Sequence, residues 1–331
     1  MNLEKAFRHQ AISCRALDSP FMGQLFDMLA DSWPEDSAVA RRFAQFTGDI
    51  GPSGASLPLR IAGGLHALVL SNKDAALKAV YPPHAAGLTV LRRAVLDALD
   101  AHEAFLLNWV ESAPQTNEVR RSAALMAAAT VVAEHVDKPV WLSELGASGG
   151  LNLNWDRFAL VLPQARLGPQ QAALTLRPDW RGPQPSLRLP HIAARGGVDL
   201  APLDPSDPED LLRLTAFLWP DQPERLALTR AAASVARIKP DKGDAIDWLE
   251  ARLDQAPAGH THLIQHTVAW QYFPLDAQAR GQALIEGAGR RATADTPLAW
   301  IAMETDGDTR GSIGATLTLR LWPGDLSLHL G

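Results

Sequence analysis

Residues 144–150 read ELGASGG and bring a carboxylate, a hydroxyl and three glycines together in one short stretch. Gly146, Gly149 and Gly150 allow a tight turn without a Cβ penalty and let a ligand touch the main chain. Two chemistries are open to such a turn. With Glu144 ahead of it, the turn can hold a nucleoside-bearing ligand where a strand of an open α/β sheet ends. With Ser148 at its centre, the same residues spell G-x-S-x-G, the pattern that lifts a serine nucleophile onto a sharp corner. The dinucleotide fingerprint G-x-G-x-x-G is excluded, because Ser148 and Leu151 stand where its second and third glycines belong, and no G-x-x-x-x-G-K-[ST] loop occurs.

Further reactive side chains follow. Asp199, Asp244, His266 and Glu304 each come at or just past the end of a strand-like run, and Asn152, Asn154, Asp156 and Arg157 crowd the positions after the glycine turn. Imidazole titrates near neutrality, so His266 is the first candidate for a general base, with Glu304 second. A serine nucleophile would need a later acid and histidine, which Asp244 with His266, or Glu304 with His329, supply by type. Against that reading, the chain before the turn is mostly helical, whereas a nucleophile corner normally follows several strands. His260, His262 and His266 point the same way on a strand, but the last two are four residues apart, about 13 Å. One zinc with bonds of about 2 Å cannot join them. Trp270 and Tyr272 are candidates for a wall against an aromatic or cationic substrate, and Arg120 and Arg121 for contacts to a carboxylate ligand.

The elements that must position these groups are legible from periodicity. Val140, Trp141 and Leu142, after Pro139, read as a buried strand. Ahead of it, PQTNEVRRSAALMAAATVVAEHV is a helix with Asn117 as N-cap and Glu118 in its first turn. Residues 1 to about 115 show apolar positions at helical spacing, broken at Ser19-Pro20, Trp33-Pro34, Gly51–Pro58 and Tyr81-Pro82-Pro83. After the turn, FALVLP, ALTLRP and SLRLP alternate like an inserted β-ribbon. A strand ending near Asp199, a helix opened by Pro208, a helix from about Pro223, a strand near Val235 to Ile238 and the helix IDWLEARL come next. THLIQHTV and PLAWIAMETD are strands around the helix LDAQARGQALIEGAGRRA. ATLTLRLW and LSLHL close the chain as a hairpin around Pro323-Gly324.

Composition narrows the partners. At 331 residues, with 47% hydrophobic and 21% charged residues, the chain has ample core for a globular fold. A net charge of -6 argues against a nucleic-acid backbone as partner, which needs clustered Lys and Arg, and favours a small molecule or a protein. The single cysteine, Cys14, permits no internal disulfide and no thiolate metal cluster, which suits a cytoplasmic protein. The first residues lack the pattern of a signal peptide, and no apolar run reaches the roughly 18 residues of a membrane span.

The series Glu144, Gly146, Ser148, Gly150 has the spacing acid-x-Gly-x-Gly-x-Gly and resembles the first motif of S-adenosylmethionine-dependent methyltransferases, with Ser148 in place of the middle glycine. Over nearly its whole length the chain also resembles a family of bacterial proteins, DUF2332. The resemblance rests on SPF at Ser19, PLRIAGGLHALVL at Pro58, QTNEVRRSAAL at Gln115, ELGASGGLNLNWDRF at Glu144, DLAPLDPSDPEDLLRLTAFLWPDQPERL at Asp199, HTVAWQYFP at His266 and LRLWPG at Leu319. Together these resemblances imply an α/β fold: a helical N-terminal region (1–115) and a Rossmann-like methyltransferase domain (116–331), its sheet mostly parallel with a closing antiparallel hairpin and a β-ribbon inserted at about 158–192. They imply S-adenosylmethionine as cofactor and a small-molecule or protein methyl acceptor. Glu144, Gly146, Ser148, Gly150 and Asn152 would contact the cofactor, Asp199 its ribose hydroxyls and Asp244 its adenine amine, while His266 and Glu304 would serve proton transfer. No metal is implied. A serine hydrolase using Ser148 and a non-catalytic nucleoside-binding module are the alternatives.

Overall fold

A computed structural model describes residues 2–51, 54–305 and 314–330. The chain forms two compact units. One comprises Met1–Thr116 with Pro208–Ala227, the other Asn117–Asp207 with Leu228–Gly331. The helical region thus takes in a later segment that its own periodicity does not announce.

The first unit is helical. Its longest helices are Leu3–Ala16, Pro20–Ser32, Leu57–Leu70 and Leu88–Ala101. Pro20 sits at the start of its helix, where a missing N–H costs nothing. Phe7, Leu25, Phe26, Leu29, Ile61, Leu65 and Tyr81 form the fully buried centre of this unit. The returning segment is anchored by polar contacts. Asp221 accepts from the Ser19 hydroxyl at 2.6 Å and the Phe21 amide at 2.9 Å, and the His66 ring meets the Ala216 carbonyl at 3.0 Å.

The second unit carries a seven-stranded sheet and a small three-stranded one. In chain order the strands are β1 (Val140–Leu145), β2 (Ala159–Leu162), β3 (Ala165–Leu167), β4 (Thr175–Leu176), β5 (Ile192–Asp199), β6 (Asp241–Lys242), β7 (Thr261–Thr267), β8 (Leu298–Thr305), β9 (Ala315–Trp322) and β10 (Leu326–Leu330). The large sheet has the order β10-β9-β8-β7-β1-β5-β6. The strands from β6 to β8 are mutually parallel, and β9 runs antiparallel to both β8 and β10. All five parallel strands therefore end at one edge. The burial of the two central strands, complete along β7 and nearly so along β1, is what a sheet covered on both faces requires.

One face packs Leu145, Val198, Ile264 and Leu298 against Leu249 and Ile285, from the helices Ala245–Asp254 and Leu275–Arg291. Toward the other face lie the alanine-rich helix Ser122–His135 and the 3-10 segment Asn152–Arg157. The ribbon is the small sheet, ordered β3-β2-β4, while SLRLP forms no strand. The strand expected near Val235–Ile238 is displaced. The alanine-rich run stays helical from Pro223 through Val235, and pairing with β5 begins only at Asp241, past Pro240. Among the described residues no helix is long and apolar enough to cross a membrane.

Close packing of the helix Leu275–Arg291 on the sheet gives the first prediction. A Cβ at Gly289 would lie 2.5 Å from Trp322 Cδ2, part of a rigid indole. Alanine gains up to about 1 kcal/mol in a helix, but overpacking costs about 1–3 kcal/mol. Gly289→Ala should therefore lower stability, read as a lower urea midpoint with an unchanged m-value.

Candidate functional site

The middle of the sheet is polar. Glu144, next to last in β1, is paired in register with Gly197 of β5 and Gln265 of β7, and its side chain is buried. Burial pushes its carboxyl pKa up to about 8, against a hydrogen bond from Gln265 and the distant pull of Arg121, with Asp199 adding to the rise. The group is thus predominantly protonated at neutral pH. Its Oε2 has no hydrogen-bond partner. Gln265 is fixed from the other side by the Trp155 indole, which donates to its Oε1 at 3.0 Å. Asn152 belongs to the same scaffold: its Oδ1 accepts from Ser122 Oγ at 2.7 Å, and its side chain is buried. Asn152 anchors the start of the alanine-rich helix.

The glycine turn is held on every side. Gly146, Ser148 and Gly150 have φ values of 67°, 52° and 66°, the left-handed region that favours glycine. The Ala147 amide donates to the Val198 carbonyl at 3.0 Å and the Leu203 amide to the Ser148 carbonyl at 3.2 Å. The Ser148 amide donates to Asp199 Oδ2 at 2.9 Å. Asn117 Oδ1 accepts from the Leu151 amide at 2.8 Å. A Cβ at Gly146 would lie 2.5 Å from the Ala269 Cβ, so the turns after β1 and β7 touch there and only glycine fits.

Asp199 and Gly146 lie at the same edge of the sheet, since Leu145 pairs with Val198. Asp199 also accepts from the Ala201 amide at 3.0 Å, so its carboxylate braces both the glycine turn and its own loop. Asp244 follows β6 and caps the helix Ala245–Asp254, Oδ1 accepting from the amides of Ile246 and Asp247 at 2.8 and 3.0 Å. That cap accounts for its position without a ligand.

Ser148 has the left-handed backbone of a strained corner, and its Oγ is buried with no hydrogen-bond partner. Among the described residues no histidine is hydrogen-bonded to it. A 3-10 segment, in place of an α-helix, follows the turn.

His266 and Glu304 meet at the ends of β7 and β8, Nδ1 to Oε1 at 2.6 Å. The Trp300 indole donates to His266 Nε2 at 3.0 Å. An indole N–H can only donate, so Nε2 accepts and the ring proton sits on Nδ1, directed at Glu304. With both nitrogens engaged and the ring buried under Trp270, at 4.9 Å between centroids, His266 is not poised to take a proton from a substrate. It positions Glu304 instead. Burial disfavours the Glu304 carboxylate, but hydrogen bonds from His266 and the amides of Ala269 and Trp270 outweigh this and hold its pKa below the usual range. Glu304 Oε2 is buried and without a hydrogen-bond partner. Trp270 backs the histidine, while Tyr272 is exposed.

Among the described residues no three His, Cys, Asp or Glu side chains could share a metal. His262 lies deeper in the sheet, bonded to Ser143 Oγ at 2.9 Å. Several contributors escape sequence reasoning. Asn117 was expected as a helix cap, but the helix starts at Ser122 after a 3-10 turn capped by Glu118. Its proximity to the glycine turn has no local signal. Gln265 and Trp155 are 110 residues apart. Arg121, named as a carboxylate binder, donates to the Thr267 carbonyl at 3.0 Å, at the end of β7.

Residues 4–331 match the family model described as "Uncharacterized protein conserved in bacteria (DUF2332)". Neither a curated protein nor a solved structure matches the chain.

The buried Glu144 makes a signed pH prediction. Its folded pKa of about 8 lies above the ordinary 4.5. Its contribution to stability is therefore fully present below about pH 4.5 and is lost as pH rises through 8. Glu144→Gln should remove this loss. The difference in urea midpoint between variant and wild type should move in the variant's favour from pH 5 to pH 8.5; a constant difference would show that Glu144 titrates normally.

Proposed function

The chain belongs to the DUF2332 family across residues 4–331, and we propose that it binds S-adenosylmethionine at the C-terminal edge of its sheet and transfers the methyl group to a small-molecule or protein acceptor. One observation carries this reading. The glycine turn after β1 and the acid ending β5 come together at the ends of neighbouring parallel strands, joined by the Ser148 amide and Asp199.

The order of strands supports it. Numbered as they occur in the large sheet, the parallel strands run 3-2-1-4-5, the order of doubly wound sheets that bind nucleosides where the winding reverses. That reversal falls between β1 and β7. The residues present fit the group by type. Glu144 Oε2 and Ser148 Oγ are buried polar atoms without partners beside the turn, and Asp199 is the carboxylate suited to ribose hydroxyls. When bound, the cofactor supplies an electrophilic methyl group. The chain supplies alignment. Protonated Glu144 adds no full negative charge beneath the turn, and the rigid Gly146–Ala269 contact fixes its height over the sheet. A proton leaving an acceptor at this edge would pass to Glu304 Oε2 and not to His266, both of whose ring nitrogens are engaged.

Calorimetry with S-adenosylhomocysteine tests the reading. Hydrogen bonds to a charged group contribute about 1.5–3 kcal/mol, so Asp199→Asn should weaken binding by about tenfold or more. Asp204→Ala should leave it unchanged, because Asp204 accepts from the Ser206 amide at 2.9 Å and hydroxyl at 2.6 Å within its own loop. Absence of binding by the wild type would overturn the proposal. Labelling of Ser148 by a fluorophosphonate probe, abolished in Ser148→Ala, would replace it with the hydrolase reading.

A further inference from the structure

We infer that Glu304, Trp270 and Trp300 form a binding site for an organic cation of the alkylammonium class. Glu304 is held as a carboxylate by three donors on one oxygen: His266 Nδ1 at 2.6 Å and the amides of Ala269 and Trp270 at 3.1 and 3.2 Å. None of these donors brings a full positive charge. The Trp300 indole forces His266 Nε2 to accept, which leaves the ring one proton, on Nδ1. Apart from the His266 ring, whose Nε2 must accept from Trp300, no basic side chain is among the groups that lower the Glu304 pKa. A mostly buried carboxylate is thus left with the second oxygen unpartnered, an arrangement that costs free energy unless a positive group completes it.

The surroundings select the kind of cation. The Trp270 and Trp300 ring centroids are 5.7 Å apart, and both rings are packed beside His266, at 4.9 and 6.0 Å. Both indoles and the Glu304 side chain are partly exposed, while Glu304 Oε2 itself is covered, so a ligand reaches it by displacing the groups at the rim of the cluster. Indole faces attract ammonium groups and welcome the alkyl carbon attached to them. A bare metal ion would want several oxygens, and the described residues offer no such set. An alkylammonium needs one carboxylate oxygen and apolar walls, and that is what is present. The His266–Glu304 bond also tethers the turn after β7, whose Val268 is held at φ 51° and whose Ala269 abuts Gly146. The cation would therefore lie beside the glycine turn. That it is the methyl acceptor rests on the methyl-transfer reading; that it binds does not.

The test uses the full chain with 15N-labelled tryptophan, the Trp270 and Trp300 indole signals being assigned from Trp→Phe variants. Titration with n-butylammonium chloride should shift these two signals saturably. Neither n-butanol, its neutral analogue of the same shape, nor sodium chloride should do so. Glu304→Gln keeps an oxygen for the Ala269 and Trp270 amides and should weaken butylammonium binding at least about tenfold. No saturable shift, an equal shift with n-butanol, or undiminished binding in Glu304→Gln would overturn the proposal. If that variant fails to fold, the ammonium-against-alcohol comparison on the wild type still decides. S-adenosylhomocysteine binding, measured separately, reports on the cofactor reading alone.

Discussion

A main-chain turn in the left-handed region, wedged between three neighbouring loops, sets the geometry of the sheet's C-terminal edge. Ser148 donates its amide to Asp199 and accepts from Leu203, which ties the turn to the loop after β5. Gly146 leaves no room beyond the Ala269 Cβ, which ties it to the loop after β7. Leu151 donates to Asn117, which ties it to the approach of the alanine-rich helix. A side chain other than hydrogen at Gly146, or a longer one at Ala269, would separate two loops that the parallel sheet brings side by side. The edge is thus preorganised by backbone contacts, with side chains left to do chemistry.

Two glutamates at that edge are driven to opposite protonation states by their surroundings. Glu144 ends in the sheet interior, where desolvation dominates and the proton stays on. Glu304 suffers desolvation too, but three hydrogen-bond donors converge on its Oε1 and stabilise the charged form. Environments that split the pKa values of like groups are how one fold assigns acid and base roles. Here the neutral member sits under the glycine turn and the charged member under the aromatic loop, so of the two only the one at the β7 and β8 ends carries negative charge.

What the sequence revealed, and what it hid, follows from the range of the interactions. The turn, the strand ahead of it and the acids at strand ends are local patterns, and β1, β5, β7, β8 and the closing hairpin appear where periodicity and Pro-Gly punctuation place them. The two-residue β6 was misplaced because propensity favoured helix through Val235 and only pairing with β5 defines the strand. The roles of Asn152, Asp244 and His266 were hidden for a different reason. Each is a polar residue at a suggestive position, and only three-dimensional partners show it serving the scaffold: Ser122 for Asn152, two helix amides for Asp244, Trp300 and Glu304 for His266. The family-wide resemblance carried no information on which nitrogen of His266 holds the proton.

The lower half of the sheet shows how differently a polar cluster behaves when a cation closes it. Ser143 Oγ meets His262 Nε2 at 2.9 Å and accepts from Arg252 Nε at 3.1 Å, while the guanidinium lies 3.7 Å over the Trp141 ring. Burial, helped by the Arg252 charge, pushes the His262 pKa down to about 3, so that imidazole is neutral and inert across physiological pH. Arginine, serine and histidine there form a chain that locks the helix Ala245–Asp254 to β1 and β7. At the upper edge the corresponding cluster of histidine, glutamate and indoles has donors in plenty but no cation of its own among the described residues. The lower cluster also leaves one buried atom without a partner, His262 Nδ1, but it carries its own cation, whereas the atom left at the upper edge is a carboxylate oxygen, the kind a cation completes.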